Sequence, residues 1–535
     1  MKNGANYKWN RRDFIKTTLL SLAAIPFIQS CTNSVEKLIF KITGTNHILG
    51  HRLRTSDFPK PTKTINENIV IIGGGISGLS AARYLSKNGI TDFKVIELEN
   101  EVGGNSAAGE NSYSKYPFGA HYLPLPNPTD TELISFLNQE NIITHFEDGN
   151  PIFNEAYLCF DPHERLFIKN YWQEGIIPKY ALNEEDLRAF EKFDELISEL
   201  KTVKGNDNLF AFDIPINKAS KDEQFTNLDK ITLAKWLIHN NLNNEHLNIY
   251  LNYCCKDDYG IGIDKVSAWA GLHYFCGRKN SNHNVLTWPE GNQFLVEKLA
   301  KYSKGKQLKN ELVYQIEEME NKVHLLVYDS KTNESKTIIA NQVIVATPQF
   351  VNKYLIKNRK DIVADFEYAP WLTATIVVKK IPLSEGAPLS WDNVIHNGFG
   401  LGYIYNQHQH LHQYKPPFVL TYYAALSEKD LLTERRNLYS KSDEYWKNII
   451  LSDLEKAHYG ITNEIESIEI HKKGHGMISP FPNFIFSEKL KQASQNTKNI
   501  YFAHSDLSGI SIFEEAFHQG INAAKKLIDE TTLDT

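Results

Sequence analysis

A run of β-branched residues followed at once by glycines constrains the fold of this 535-residue chain more than any other feature. Residues 68–72 read Asn-Ile-Val-Ile-Ile, which is typical of a strand buried in a parallel sheet. Residues 73–78 hold glycines in GxGxxG spacing, and residues 79–85 carry small and apolar side chains at helical spacing. A second apolar strand is predicted at 93–96. The order of strand, glycine turn, helix and strand predicts an α/β fold with a parallel sheet.

The glycines, together with the acid that ends the second strand, indicate a dinucleotide site. Gly73 permits a tight turn, Gly75 lets backbone N–H groups approach a pyrophosphate, and Gly78 lets helix and strand pack closely. The positive end of the helix faces the phosphates. Glu97 stands where a carboxylate can accept hydrogen bonds from a ribose diol. The residues predicted to contact the dinucleotide in this unit are Gly73, Gly75, Ile76, Ser77, Gly78 and Glu97.

The segment after the second strand favours one dinucleotide. Residues 101–105 read Glu-Val-Gly-Gly-Asn, which resembles the double-glycine motif of the FAD-dependent amine oxidase and desaturase superfamily. Asn105 departs from that motif, which usually ends in arginine. Residues 342–348 and 499–506 resemble the strands by which the family's chain returns to its FAD domain, and residues 514–524 resemble the helix that follows. The resemblance implies bound FAD and an amine-oxidase-like α/β fold.

The resemblance also implies a division into domains. A Rossmann-like FAD-binding domain would be discontinuous, with pieces at 66–128, 286–350 and 494–532. An inserted α+β substrate domain would take residues 129–285 and 351–493. Such an architecture places the ligand crevice at the carboxyl ends of the parallel strands, between the domains. Apolar periodicity predicts helices at 183–203 and 232–251, strands at 371–380 and 417–423, and a hairpin of 312–316 with 323–328.

Further FAD contacts follow from the resemblance. Residues 118–122 come after the glycine doublet, where the family's chain passes beside the flavin, and the hairpin carrying Val313 lies near the adenine. The remaining residues predicted to bind FAD are Gly103, Gly104, Asn105, Gly119, Ala120, His121, Val313, Asp506 and Glu514. Because no cysteine occupies the family's attachment position, we expect non-covalent FAD.

In this family the flavin accepts a hydride, and the protein aims the substrate carbon at it. The residues predicted to act at the reaction centre are His121, Trp391, His504 and Glu515. Trp269 and Trp288 are further candidates for cavity walls, because aromatic faces can flank a cationic amine. The other candidate partners for an ammonium group are Asp257, Asp258, Glu290 and Asp392.

The chain departs from the family's oxidases at two positions near the flavin. Many amine oxidases carry a lysine on the strand that corresponds to 371–380, where this chain has Thr375 or Ile376. Ile512 stands where an aromatic residue often precedes the final helix. Both departures weaken the interpretation as an oxygen-using oxidase and leave a dehydrogenase or a desaturase more open.

The first residues resemble an export signal. Residues 10–16 hold the pair Arg11-Arg12, and a short apolar run follows at 19–28, a pattern typical of the twin-arginine route. Cys31 follows in a context that resembles a lipoprotein processing site. We therefore expect a protein of the periplasm or cell envelope. It is either tethered to a membrane through lipidated Cys31 or released after cleavage of a plain signal.

Between the signal and the first predicted strand, residues 32–65 lack clear periodicity and include Pro59-Lys60-Pro61. This composition predicts a tether or a surface-wrapping arm without regular structure. Within it, residues 50–54 read Gly-His-Arg-Leu-Arg, an unusual motif to which the sequence assigns no role.

Charge and composition argue against other classes of protein. The formal net charge is −6, whereas nucleic-acid binding needs a basic face. No stretch of about 18 uncharged apolar residues occurs, which excludes a bundle of membrane spans. The pattern of His408, His410 and His412 could suggest a metal, but interleaved glutamines and the prolines at 416–417 favour a polar loop, so no metal is predicted.

Three functions are compatible with these observations. Residues 258–260, 264–272 and 389–393 resemble exported spermidine dehydrogenase-like flavoproteins. This resemblance implies an FAD-dependent oxidoreductase that removes hydride from the carbon beside a nitrogen of an amine, in the class of polyamines, with an electron acceptor that the sequence does not identify. A flavin desaturase or porphyrinogen-type oxidase acting on an apolar substrate is the alternative. A non-catalytic envelope lipoprotein that keeps the FAD fold is the third possibility.

Overall fold

Strands and helices alternate around the glycine turn, as the sequence predicts for an α/β chain. The computed structural model describes residues 39–280, 284–410 and 415–533. The strands are β1 (Ile39–Gly44), β2 (Pro61–Ile72), β3 (Phe93–Glu97), β4 (Ala108–Glu110), β5 (Lys115–Pro117), β6 (Tyr122–Pro124), β7 (Ile143–Glu147), β8 (Asn150–Phe153), β9 (Glu164–Ile168), β10 (Tyr171–Glu174), β11 (Val285–Thr287), β12 (Gln307–Lys309), β13 (Glu311–Met319), β14 (Lys322–Asp329), β15 (Glu334–Val345), β16 (Tyr368–Val378), β17 (Asp392–Ile395), β18 (Gly402–Tyr405), β19 (Phe418–Ala425), β20 (Ile465–Ile478) and β21 (Ile500–Phe502). The helices are α1 (His47–His51), α2 (Ile76–Lys87), α3 (Thr131–Gln139), α4 (Glu184–Thr202), α5 (Glu223–Thr226), α6 (Leu233–His239), α7 (Glu245–Tyr259), α8 (Ala268–Cys276), α9 (Gln293–Ala300), α10 (Gln349–Leu355), α11 (Arg359–Ile362), α12 (Leu431–Ser440), α13 (Asp443–Ala457), α14 (Glu488–Ala493) and α15 (Phe513–Leu533).

The chain divides into two units, Met1–Ile39 and Phe40–Thr535, and the elements above belong to the second unit apart from the first residue of β1. The predicted export signal and Cys31 lie outside the described residues. Across the part of the chain that is described, no helix combines the length and the apolar character needed to cross a membrane.

The strand that leads into the glycine turn lies inside a seven-stranded sheet. β2 pairs in parallel with β3 on one side and with β15 on the other, and β15 also pairs in parallel with β21. The hairpin of β13 and β14 extends the sheet in antiparallel fashion. Val70 and Ile71 are fully buried, as their β-branched run predicts. The α/β class is thereby confirmed, and its sheet is assembled from segments far apart in the sequence.

A second, eight-stranded sheet has the order β1-β20-β16-β19-β18-β17-β9-β10. β16 pairs antiparallel with both β19 and β20, and every residue of β16 and β19 is buried. The continuous apolar runs predicted as strands at 371–380 and 417–423 correspond to these two central strands. The domain boundaries inferred from the sequence stay predictions, since residues 40–535 form one unit.

The helices within residues 184–276, called the helical insert below, share a core of large side chains. The predicted helix at 183–203 is α4, whose Asn183 caps it by accepting hydrogen bonds from Glu185 and Asp186. The expectation of one helix at 232–251 is wrong, because two helices, α6 and α7, occupy the segment. The break has a local cause: Asn241 adopts φ +54°, and Asn244 caps the second helix.

The expectation that residues 32–65 lack regular structure is wrong for their described part. Residues 39–54, called the arm below, comprise β1, α1 and a short 3₁₀ turn at 52–54. β1 lies beside β20, and Thr43 Oγ1 is 3.1 Å from His471 Nδ1. β2 begins as early as Pro61, since proline is tolerated at the first position of a strand.

Candidate active site

The glycine turn between β2 and α2 is shaped for close approach by a phosphate-bearing ligand. Gly73 has φ +102°, which side chains of L-residues rarely adopt. A Cβ on Gly78 would lie 1.9 Å from the carbonyl oxygen of Gly73, so only glycine fits this packing. Ile76 and Ser77 open helix α2, where N–H groups lack partners within the helix. These features fit a diphosphate at the helix N-terminus.

Glu97 marks the neighbouring part of the site at the end of β3. Its Oε2 accepts a hydrogen bond from the Gly74 amide at 2.7 Å, and its Oε1 accepts one from the Glu99 amide at 2.9 Å. Burial raises the pKa of Glu97 to about 6, although these hydrogen bonds oppose the rise. The carboxylate is thus fixed in direction by the backbone, as a ribose-binding acid requires.

The double-glycine segment contains the substitution noted in the sequence. Gly103 and Gly104 have φ +139° and +57°, and Asn105 Nδ2 donates to the carbonyl oxygen of Gly476 at 2.6 Å. Lys473 on β20 brings its Nζ within 3.3 Å of both the backbone oxygen and Oδ1 of Asn105. Burial lowers the pKa of Lys473 to about 8. A lysine from another strand therefore stands beside the position where the motif usually has arginine.

One cleft of about 1630 Å³ connects these elements. The predicted residues that line it are Gly73, Gly75, Ile76, Ser77, Glu97, Gly103, Gly104, Asn105, Ala120, Val313, His504 and Asp506. The other residues predicted to bind FAD are not among those that line the cleft: Gly78, Gly119, His121 and Glu514. The cleft runs from Val313, at the end assigned to adenine, to Ala120 and Ile512, at the end assigned to the flavin.

Asp506 and His504 lie at the carboxyl end of β21. Asp506 Oδ2 accepts hydrogen bonds from the Gln349 amide at 2.8 Å and from the Tyr368 hydroxyl at 2.6 Å. His504 Nδ1 lies 3.1 Å from both the amide nitrogen and Oδ1 of Asp506. Burial alone would raise the pKa of Asp506, but His504 and the hydrogen bonds outweigh it and lower that pKa. His504 thus holds Asp506 in place rather than standing free in the cleft.

His121 follows directly on the flavin end of the cleft. Its Nδ1 is 3.0 Å from the carbonyl oxygen of Gly119, which can only accept, so Nδ1 donates and Nε2 carries no proton. Burial lowers the pKa of His121 to about 4, so the ring is neutral at physiological pH.

Around His121 the structure assembles an aromatic cluster, consisting of His121, Tyr122, Trp391 and Tyr423. The His121 ring centroid lies 5.2 Å from those of Tyr122 and Tyr423 and 5.8 Å from that of Trp391. Tyr122 and Trp391 meet edge to face at 5.9 Å. The sequence singled out His121 and Trp391 separately. The fold brings them together, because His121 directly precedes β6 and Trp391 directly precedes β17.

Carboxylates adjoin this aromatic cluster. The Tyr122 hydroxyl lies 3.3 Å from Asp257 Oδ2, and the Tyr423 hydroxyl donates to Asp392 Oδ1 at 3.1 Å. Burial and then the negative charges of Asp258 and Asp392 raise the pKa of Asp257 well above its usual range. Burial raises the pKa of Asp392 to about 7. These candidate acids thus form one enclosed acidic group whose pKa values are raised.

Glu514 and Glu515, at the start of α15, have other partners than predicted. Glu514 Oε1 lies 3.4 Å from Arg278, which also approaches Asp258 at 3.7 Å. Glu515 Oε1 accepts a hydrogen bond from the Ile216 amide at 2.7 Å. Glu514 therefore neutralises Arg278 behind the acidic group, and Glu515 fixes a backbone turn of the helical insert.

Several other candidates are structural. Trp269 stacks on His273 with centroids 4.9 Å apart, and Trp288 stacks on Phe294 at 4.7 Å, so neither tryptophan joins the aromatic cluster. The carboxylate of Glu290 pairs with Lys115 at 3.1 Å.

The HxHxH segment contributes no described site either. His408 contacts the carbonyl oxygen of Phe160 at 2.8 Å, and His412 lies outside the described residues. Within those residues, no group of three His, Cys, Asp or Glu side chains could hold a metal.

Comparison with protein-family models decides the class of this site. Residues 76–528 match the model described as flavin containing amine oxidoreductase. The chain belongs to this family. The match begins at the first residue of α2 and ends inside α15, so it includes strands of both sheets but not β1 or β2. FAD is the cofactor of this family, and the glycine turn, Glu97 and Asp506 fit it. The family resemblance inferred from the sequence is confirmed.

Curated relatives align with this chain over parts of their length. An L-amino acid dehydrogenase of Synechocystis is 27% identical over 222 residues, which cover 40% of this chain and 42% of the relative. A flavin-containing amine oxidase of Oncorhynchus mykiss is 28% identical over 120 residues, which cover 20% of this chain and 22% of the relative. The chain thus spans less than half the length of these relatives.

Solved structures share the fold of this chain along most of its length. Putrescine oxidase bound to putrescine superimposes with a TM-score of 0.65 at 16% identity, covering 87% of this chain and all of the other. A fatty acid isomerase of P. acnes gives a TM-score of 0.62 at 17% identity, covering 86% of this chain and 98% of the other. At such identities the likeness establishes the fold alone.

Sequence reasoning missed the residues that complete the site. Lys473, Arg278 and Tyr423 are buried or half-buried at its edges, yet none belongs to a recognisable motif. Tyr122 ends the segment 118–122, but the sequence assigned it no role of its own. For Lys473 a signal did exist: His471, Lys473 and His475 alternate along one strand, and alternation places them on one face.

Proposed function

We propose that this chain is an exported FAD-dependent oxidoreductase that removes hydride from the carbon beside a nitrogen of a polyamine. The observation that carries the proposal is the enclosed acidic group at the flavin end of the cleft. Asp257 and Asp392 meet the aromatic cluster through Tyr122 and Tyr423. An ammonium group is attracted to carboxylates and to aromatic faces, whereas an apolar substrate gains nothing from either.

Bound FAD supplies the acceptor for two electrons in this chemistry. The carbon–hydrogen bond beside the nitrogen breaks, and the hydride leaves with both electrons. The nitrogen lone pair forms a carbon–nitrogen double bond, and water then hydrolyses the resulting imine to an amine and an aldehyde. A separate electron acceptor completes the turnover by taking the two electrons onward. A second ammonium group of a polyamine would stay protonated and pair with the acidic group.

The reacting nitrogen has to lose its proton first, and the described side chains suit that step. His121 is neutral with an unprotonated Nε2, because its Nδ1 donates to Gly119. The pKa of Asp392, raised by burial to about 7, allows that carboxyl group to exchange a proton near neutral pH. Together these groups favour a substrate amine that arrives charged and reacts neutral.

The decisive experiment is an anaerobic visible spectrum of the purified protein before and after addition of spermidine. We expect the flavin band to bleach, because hydride transfer reduces the flavin. A long-chain unsaturated fatty acid serves as the apolar control and should leave the band unchanged. Bleaching by the apolar compound alone would overturn the amine assignment while retaining the oxidoreductase.

Export is proposed from Arg11-Arg12 and the apolar run after them. Exchange of both arginines for lysine should retain the protein in the cytoplasmic fraction, whereas Lys8→Gln should not. Cys31→Ser should move the exported protein from the membrane fraction to the soluble fraction if Cys31 is lipidated. An unchanged distribution of the double-lysine variant would overturn the export route.

A further inference from the structure

The arm lines the same cleft as the glycine turn, although it lies outside the residues 76–528 that match the family. Residues 44–47 and 50–51 contribute to the cleft wall, as do Leu53 and Arg54. The Asn46 amide donates to Glu99 Oε1 at 2.7 Å, two residues beyond Glu97. The arm therefore reaches the adenosine side of the cleft from one direction and β20 from the other.

Within the motif at 50–54, some side chains anchor the arm to the rest of the protein and others line the cleft. The Arg52 guanidinium lies 4.6 Å from the ring centroid of Phe58 and 4.5 Å from that of Tyr328. Leu53 is buried in the core beside the parallel sheet. His51 and Arg54 are exposed and face the cleft instead. Arg52 and Leu53 thus fix the turn, which leaves His51 and Arg54 positioned beside any occupant.

Basic side chains from three other elements line the cleft with them. We call His51, Arg54, Lys353, Arg435 and His475 the cationic wall. Burial and the positive charges of the other four members lower the pKa of His475 to about 2, so its ring is neutral. The four charged side chains that act most strongly on His475 are all basic, which marks a concentration of positive charge at this wall.

The cationic wall lies beside the glycine turn rather than at either end of the cleft. His475 stacks on Phe350 with ring centroids 4.0 Å apart. Phe350 closely follows Thr347, whose methyl group lies 3.3 Å from the position of a Cβ on Gly73. In FAD the adenine and the oxidised flavin are neutral, and only the diphosphate is fully charged.

We propose that the cationic wall binds the diphosphate of FAD, and that the arm closes the cleft over the cofactor. The helix N-terminus of α2 contacts the diphosphate from one side through backbone N–H groups. Arg54, Lys353 and Arg435 face it from the other side with charged side chains. The unusual motif at 50–54 thereby gains a role in cofactor retention that the family match does not include.

Arg54 is the best residue for a test. Arg435 also holds the fold together, since it donates to the carbonyl oxygens of Gly474 and Tyr368 and lies near Glu367. Arg54 is exposed, so Arg54→Gln should leave the fold intact. Arg188→Gln on α4, an exposed arginine remote from the cleft, is the matched control.

The measurement is the rate at which the holoprotein releases FAD after dilution, followed by flavin fluorescence. We expect Arg54→Gln to release FAD about tenfold faster, because one charge-assisted contact is lost. Its release should also depend less on salt concentration than that of the wild type. Arg54→Lys should fall between the two, and Arg188→Gln should match the wild type. Equal release by wild type and Arg54→Gln would overturn the proposal.

Inorganic pyrophosphate added to the holoprotein distinguishes the cofactor's diphosphate from a separate anion. If the wall already holds FAD, pyrophosphate should not raise the melting temperature. A rise that occurs in the wild type and disappears in Arg54→Gln would mean that a second anion occupies the wall, which contradicts the proposal.

Discussion

The FAD cleft and the aromatic–carboxylate cluster adjoin at Ala120 and His121, yet they are built in different ways. The cleft depends on backbone geometry: Gly73 and Gly103 adopt φ values of +102° and +139°, and Gly78 has no room for a Cβ. The cluster depends on side chains from α7, β6, β17 and β19, each in an ordinary backbone conformation. Backbone geometry fixes which cofactor is bound, whereas side chains determine which substrate meets it.

This difference implies unequal tolerance to substitution. A side chain added to a glycine of the turn displaces backbone atoms, and no side-chain rotation can relieve the contact. A residue changed in the cluster alters charge or shape locally and leaves the cofactor in place. Four substitutions probe this contrast, each with its own measurement.

The most general effect is expected for Gly78→Val in the cleft, because this variant loses the cofactor itself. The new Cβ would meet the carbonyl oxygen of Gly73 at 1.9 Å, so α2 has to move away from the turn. We expect the flavin absorbance per mole of purified protein to fall at least about tenfold. Gly460→Asn, outside the cleft lining, is the control, because a Cβ there meets nothing within 4 Å and asparagine tolerates its φ of +85°. Full flavin content in Gly78→Val would refute the backbone account of the cleft.

In the cluster, Asp257→Asn should reduce kcat/KM for spermidine about 100-fold, since the variant loses the buried carboxyl group that pairs with the ammonium group. Flavin content should stay unchanged, which separates this effect from the previous one. Asp264→Asn, at an exposed position in the following loop, is the matched control. Equal losses in both variants would show that Asp257 acts through general surface charge rather than through contact.

Lys473→Met tests a side chain that belongs to the cleft. Its Nζ lies 3.3 Å from Asn105, beside the double-glycine turn, and the methionine keeps the length without the charge. We expect FAD release about tenfold faster, measured by flavin fluorescence. Lys472→Met is the control, because Lys472 alternates to the other face of β20 and pairs with Asp443 at 3.0 Å. If both variants release FAD alike, the contribution of Lys473 is structural.

The last test concerns the pH dependence of stability. The folded protein keeps the proton of Asp392 up to about pH 7, whereas the unfolded chain loses it near the ordinary value of 3.8. The folded state therefore binds more protons between these values, and the free energy of unfolding falls as pH rises through them. In Asp392→Asn this part of the decrease should vanish. Urea unfolding at several pH values measures it, and an unchanged slope would contradict the assignment.

The contrast between cleft and cluster also explains what the sequence could predict. Gly73, Gly75, Glu97 and Asp506 were predictable because each lies at a fixed offset from a strand end. The strands themselves were predictable, since Val70 and Ile71 belong to a continuous β-branched run.

The cluster was not predictable as a unit. Asp257 and Asp392 were candidates, but only the pairing of β17 with β9 and the packing of α7 bring them together. The regular structure of the arm was missed for a related reason: β1 gains its hydrogen-bonding partner β20 from more than four hundred residues away. Glu515 was predicted to face the substrate from its position alone, and its partner Ile216 comes from the helical insert.

The discontinuous parallel sheet has a consequence for biosynthesis. Gly73 leaves the ribosome roughly 430 residues before Asp506, and β21 has to insert beside β15 before the cofactor site is whole. At about 5–20 residues per second, the nascent glycine turn waits roughly 20–90 seconds for its partners. FAD binding is therefore a late event that requires nearly the whole polypeptide. A chain truncated before its last helix would lack bound FAD and its visible absorbance.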